Sequence, residues 1–189
     1  GKSNPAFVAA DLLSQAEHDK MASAVLVTDS EQLAYAVQAE VERQLSVLPR
    51  EQIARPSIDN FGKIIVCADL WQGIEVANRI APEHLEICVD NPFDYLDKIE
   101  NAGSVFLGRY CPEALGDYYA GTNHTLPTSG TAKFSSPLSV DDFVKKTQYS
   151  YFTHEALEAV AYDVAFFAEK EGLTAHAKSA VIRLEVDKK

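Results

Sequence analysis

The chain has 189 residues and a formal net charge of −11, with 47% hydrophobic and 24% charged residues. A chain of this length can bury roughly 70% of its unfolded surface, so it needs neither disulfides nor a structural metal to fold. The acid excess argues against nucleic acid or an anionic membrane as partner, since both require surplus Lys and Arg. No apolar run approaches the ~20 residues of a membrane span.

The start, Gly1-Lys2-Ser3-Asn4-Pro5, lacks the apolar stretch of a signal peptide, and a cytoplasmic location is expected. Periodicity then predicts a helix over Phe7 to Asp19, with Val8, Leu12 and Ala16 on one face and Pro5 ahead of the first turn. Ser23 to Thr28 reads as a short buried strand. Asp29 or Ser30 caps a helix to about Leu48, with Leu33, Val37, Val41 and Leu45 on one stripe. Lys63 to Cys67 is a second strand, followed by a helix from Leu70 to Arg79. His84 to Val89 is a third strand, followed by a helix near Tyr95 to Glu100, and Ser104 to Leu107 is a fourth strand. This alternation predicts an α/β fold with a parallel, doubly wound sheet, and in such sheets sites gather beyond the carboxyl ends of the strands.

From Arg109 to Ser139 the texture changes to Gly, Pro, Ser and Thr, with Asp117, Asn123 and His124 among them. Loops of that length in compact domains are usually functional or disordered, and these three side chains favour the former. Thr153 caps a helix to about Lys170, Gly172 breaks it, and Thr174 starts another turn before a charged tail. Residues 1–139 are therefore expected to form the α/β domain and 140–189 a helical tail. The helix-first start and the lack of an early Gly-rich phosphate loop place any nucleotide site elsewhere.

Cys67, Cys88 and Cys111 make an odd number without C-x-x-C spacing. Cys67 and Cys88 sit in apolar strand-like runs, where free cysteine behaves as a small buried hydrophobe and fits a reducing compartment. Gln15 and His18 are three apart on a predicted helix, about 60° apart on one face. They can be metal ligands or simply a polar helix end. In Ala81-Pro82-Glu83-His84, a carboxylate and an imidazole adjoin, both able to accept protons near neutral pH. Neighbours in a strand point to opposite faces, so they share a pocket only where the backbone departs from regular strand. Asp117 and His124 flank Tyr118 to Asn123, where Gly116 and Gly121 allow the backbone to bend around a site. Glu171 and His176 follow a helix break and are either site residues or terminal decoration. His154 reads as structural, because a helix N-terminus disfavours its charged form.

Four segments occur together: Leu12 to Asp19 (LLSQAEHD), Ala81 to Glu86 (APEHLE), Pro112 to Val140, and Glu171 to Ala177 (EGLTAHA). In that order and approximate spacing they resemble the histidinol dehydrogenases, with Thr122 where the family usually has Pro and Ser129 where it usually has Gly. The resemblance covers essentially the whole chain, as the C-terminal part of such an enzyme. It implies an incomplete Rossmann-like doubly wound sheet plus a C-terminal helical tail. It also implies a parent enzyme that oxidises L-histidinol to L-histidine through the aldehyde in two NAD-dependent steps, the last step of histidine biosynthesis.

By the same resemblance, zinc would be held by Gln15, His18, Asp117 and His176, and would anchor substrate. Because only neutral imidazole ligates, binding would weaken as pH falls through roughly 6.5. His84 would be the general base for the alcohol proton, Glu83 would activate the hydrating water, and His124 and Glu171 would contact substrate. The tail would exchange between subunits of a homodimer, so that Glu171 and His176 complete the partner's site. NAD contacts would lie in a part of the enzyme not present here, leaving this chain inactive or nearly so as a dehydrogenase. Two other readings remain open: a zinc-binding dimerisation module without catalysis, and a zinc hydrolase driven by Glu83 or His84.

Overall fold

The computed structural model describes residues 1–186. By internal packing they divide into two compact units, Gly1–Val144 and the residues from Lys145 onward.

In the first unit, helix α1 spans Pro5–Ala16. Asn4 accepts a hydrogen bond from the Ala6 N–H at 2.9 Å, and Pro5 takes the first helical position, where its missing N–H costs nothing. The helix ends at Ala16, short of Asp19. There the Asp19 carboxylate accepts from the Met21 N–H at 2.8 Å, a local bond that competes with continued helix. Strand β1 (Val25–Thr28) leads into α2 (Glu31–Leu45), capped by the Ser30 hydroxyl. The predicted stripe of α2 is its buried face: Leu33, Val37, Val41 and Leu45 pack against Ala9, Leu13 and Ala16 of α1.

Helix α3 (Glu51–Phe61) also joins this core through Ala54. The sequence hides it because Pro56 stands inside it, a residue that removes a helical hydrogen bond and normally marks a break. Strand β2 (Lys63–Val66), helix α4 (Leu70–Ile80), strand β3 (His84–Ile87), helix α5 (Phe93–Leu96) and strand β4 (Ser104–Leu107) follow in turn.

The strands form small parallel sheets, but not one continuous sheet among the described residues. β1 pairs with β2, Val25 opposite Lys63 through Thr28 opposite Val66; β3 pairs with β4, His84 opposite Ser104 through Ile87 opposite Leu107. A cavity of about 510 Å³ is lined by Leu26 and Val27 of β1 and by Leu85 and Ile87 of β3. The expected single doubly wound sheet is not formed among the described residues, which hold two separate two-stranded parallel pairs.

Helix α6 (Glu113–Tyr118) interrupts the stretch anticipated as loop. Beyond it, Asn123 ties that stretch together, donating to the Leu138 carbonyl at 2.6 Å and accepting from the Thr125 N–H at 2.7 Å.

In the second unit, α7 (His154–Lys170) is capped by Thr153, and α8 (Thr174–Val186) follows a turn at Gly172, whose φ of +77° suits glycine. Ala161, Ala165 and Ala168 of α7 meet Ala177, Ala180 and Leu184 of α8. Small residues let the two helices pack closely, while Tyr162, Phe166 and Phe167 stay 60–69% exposed. Among the described residues no helix is long and apolar enough to cross a membrane.

Candidate active and metal-binding site

Three elements of the first unit bring functional side chains to one end of the cavity. The last turn of α1 carries Gln15, the first residue of β3 is His84, and α6 carries Glu113 and Asp117. Gln15 Oε1 lies 3.3 Å from His84 Nδ1. A carbonyl oxygen only accepts, so Nδ1 carries a proton in this contact. His84 Nε2 is 3.8 Å from Glu113 Oε1, and the imidazole sits 5.9 Å, centroid to centroid, from the Phe106 ring. Ligand atoms of His84, Glu113 and Asp117 all lie within 4.8 Å of one another.

Glu83 lines the same cavity as His84. It lies in a bend just before β3, where its carbonyl accepts from the Ser104 N–H at 2.8 Å. The departure from regular strand that a shared pocket demands occurs at Glu83. Upstream, Ala81 takes the left-handed conformation, φ +53°, to end α4.

Asp117 is therefore a helical residue, not a loop residue. Its position four residues after Glu113 is the helical spacing that sets two side chains on one face. That spacing is the one sign of Glu113 in the sequence, where the surrounding Gly, Pro, Ser and Thr suggest loop. Gly116 lets α6 lie directly on β4: a Cβ there would stand 2.6 Å from the Phe106 ring.

His18 lies beyond the end of α1 and is exposed, so it does not share a helical face with Gln15. It remains close enough for its charge to act on Glu113. His124, 72% exposed, stands 3.9 Å from Asp117 through Nδ1. Glu171 is the C-cap of α7 and His176 lies in the first turn of α8; both are exposed residues of the second unit. His154 occupies the first helical position of α7.

The cavity is acidic. Asp11, Glu83, Glu86 and Glu113 line it, and no lysine or arginine does among the described residues. Burial, then the neighbouring Asp11 charge, pushes Glu86 up to about 8; burial also raises Asp11, against the opposing effect of its hydrogen bond with Glu86. Glu86 Oε1 accepts from the Glu113 N–H at 3.0 Å. Burial raises Glu113 as well, the His84 charge pulls it back, and its hydrogen bond with Asp117 raises it further. Cys88, whose thiol is 3.7 Å from Glu86 Oε2, is pushed up to about 12 by burial and these carboxyls. It is half-buried and Cys67 is buried; all three cysteines are free.

Glu113 Oε1 is buried and lacks a hydrogen-bond partner. Imidazole, two carboxyls and a nearby amide oxygen are donors suited to a borderline divalent ion, and a cation would give the orphaned oxygen its counter-charge. The residues fit a metal.

A family model described as histidinol dehydrogenase matches residues 1–184. The chain belongs to the histidinol dehydrogenase family. It is 58% identical, over 97% of its length, to a histidinol dehydrogenase of Caldanaerobacter subterraneus subsp. tengcongensis, and 54% identical, over 95%, to one of Streptococcus mutans. The crystal structure of histidinol dehydrogenase from Elizabethkingia anophelis covers 99% of the chain at 41% identity, with a TM-score of 0.83. The chain spans 43% and 42% of the two curated relatives and 43% of the solved chain. It matches a C-terminal part of the histidinol dehydrogenases.

Proposed function

We infer that this chain is the metal- and base-bearing part of an enzyme that oxidises L-histidinol to L-histidine through the aldehyde. The observation that carries this reading is the placing of His84, with Gln15 at Nδ1 and Nε2 toward Glu113, in an acidic cavity of a histidinol dehydrogenase family member. A pocket lined by carboxyl groups, with no lysine or arginine among its described residues, suits a ligand that carries an amine and an imidazole.

His84 serves as general base at Nε2, removing the alcohol proton. Glu83, presented beside it by the bend, draws a proton from the water that hydrates the aldehyde. His124 and Glu171 orient substrate. Gln15, His18, Asp117 and His176 would hold zinc, which when bound anchors the substrate imidazole and amine. No NAD contact is assigned to this chain; the nucleotide would be held by residues outside it, completing a Rossmann-like arrangement around the two strand pairs. The exposed Tyr162, Phe166 and Phe167 support a homodimer in which the C-terminal helices exchange and His176 reaches the partner's site. A biosynthetic enzyme of this kind would work in the cytoplasm.

The test is calorimetric titration of zinc into metal-stripped protein, then of L-histidinol, with oligomeric state followed by light scattering. Near-stoichiometric zinc in a dimer, and histidinol binding abolished in His18→Ala and Asp117→Ala, supports the reading. Zinc and dimerisation without histidinol binding would favour a metal-binding dimerisation module. Absence of zinc binding, or a monomer, would show that the site does not form in this chain.

A further inference from the structure

Glu113 has the marks of a group held in place for a purpose outside itself. Its residue surface is only 7% exposed, yet Oε1 has no hydrogen-bond partner, and stranding a buried carboxyl oxygen is costly. It is fixed from three directions. Ser14, on the same turn of α1 as Gln15, donates from Oγ to Oε2 at 3.4 Å. The Glu113 N–H donates to Glu86 of β3. One turn on, Gly116 seats α6 against Phe106. Thus fixed, the carboxyl group has Oε1 3.8 Å from His84 Nε2 and shares with His84 and Asp117 a cluster whose ligand atoms lie within 4.8 Å of one another.

We propose that Glu113 is a positioning residue of this site, acting from the inner wall to hold the His84 imidazole and the Asp117 carboxyl group in one register. The proposal rests on the metal-and-base reading of the site and adds to it a residue outside the resemblance's ligand and catalytic sets. The His84 imidazole has Gln15 Oε1 3.3 Å from Nδ1, Glu113 Oε1 3.8 Å from Nε2 and the tilted Phe106 ring 5.9 Å away, so it is flanked on three sides by fixed elements before any ligand arrives. Asp117, one helical turn on, has a carboxyl oxygen within 4.8 Å of the ligand atoms of Glu113 and His84, so the fixed Glu113 group limits where it can turn. Buried carboxyl partners of this kind orient ligating side chains in metal sites generally.

The test compares the full chain with Glu113→Ala, Glu113→Gln and Ser14→Ala, each first shown to be folded by far-ultraviolet circular dichroism. The first readout needs no metal: long-range ¹H–¹⁵N correlation spectra report the ring-nitrogen environment of His84. Glu113→Ala is expected to move the Nε2 resonance and broaden both ring signals. Glu113→Gln, whose amide oxygen still accepts from Ser14 and whose NH₂ still reaches Asp117, restores the wild-type line width. Ser14→Ala shows a smaller change in the same direction, and decides the matter should Glu113→Ala not fold. The second readout is cobalt(II) titration followed by visible absorption, where Glu113→Ala is expected to lose about 10- to 100-fold in affinity with altered bands. His84 signals unchanged in Glu113→Ala would overturn the proposal, as would a Gln variant as disordered as the Ala variant. A wild-type chain that takes up no cobalt defeats the metal reading alone, because the His84 comparison still decides the role of Glu113.

Discussion

Gln15 and His84 are 69 positions apart, yet the amide oxygen of one lies 3.3 Å from the imidazole Nδ1 of the other. The contact joins α1 to β3 and fixes which ring nitrogen holds the proton. A side chain so placed has two uses: it sets the tautomer of the base, and it offers the same oxygen to a metal. Gln15→Leu, near in volume but without the amide, is expected to bind zinc at least about tenfold more weakly than wild type. It should also convert part of the His84 population to the Nε2–H tautomer. Calorimetry and ring-nitrogen chemical shifts read the two effects separately. Unchanged tautomer populations would show that the ring is set by Glu113 and Phe106 without Gln15.

Gly116 is a packing position rather than a bend. With a Cβ 2.6 Å from Cε1 of Phe106, Gly116→Ala must displace either the ring or the helix. Overpacking of this kind costs about 1–3 kcal/mol. α6 carries both Glu113 and Asp117, so metal affinity should fall along with the thermal midpoint. Phe106→Leu in the same chain, which opens space at the contact, is expected to recover part of both losses. Scanning calorimetry and zinc titration of the two variants check this.

The first unit's strands and most of its helices were legible because each has a strong local signature. Asn4-Pro5 starts α1, Ser30 caps α2, and four apolar residues mark its buried stripe. What escaped was set by context. α3 carries a proline in its interior, and α6 is six residues long within a Gly- and Pro-rich stretch. The break between the β1–β2 and β3–β4 pairs is a matter of which strands approach each other, which no period along one strand encodes. Gln15, Glu83, His84 and Asp117 were legible as chemistry-bearing residues, whereas Glu113 depended on recognising a helix around Asp117.

Ser129 lies in left-handed backbone, φ +54°, at an exposed position where the family resemblance favours glycine. An L-residue other than glycine, asparagine or aspartate pays about 1–2 kcal/mol there, partly offset by the greater entropy glycine loses on folding. Ser129→Gly is expected to stabilise the chain by about 0.5–1 kcal/mol. At this chain length that raises the melting temperature by about 1–4 °C. A lower midpoint by scanning calorimetry would mean that the serine side chain contributes a contact worth more than the strain.

Asp11 and Glu86 give the stability of the first unit a pH dependence whose sign is unusual for carboxyl groups. Glu86 has an ordinary value of 4.5 and sits at about 8 in the fold, raised chiefly by burial and then by Asp11. Between those values the folded chain keeps a proton that the unfolded chain has released. The contribution is therefore full below about 4.5 and is lost as pH rises to about 8, the reverse of a salt-bridged carboxylate. The slope is on the order of 1 kcal/mol per pH unit at most, since the group is partly hydrated. Urea unfolding at pH 5, 6.5 and 8 should show the wild-type chain losing stability with rising pH. Glu86→Gln carries a neutral isostere that still accepts from the Glu113 N–H, and should flatten that loss while leaving stability at pH 5 nearly unchanged. Equal pH slopes in the two proteins would show that Glu86 is ionised in the folded state at neutral pH, with the Asp11 contact broken by water entering the cavity.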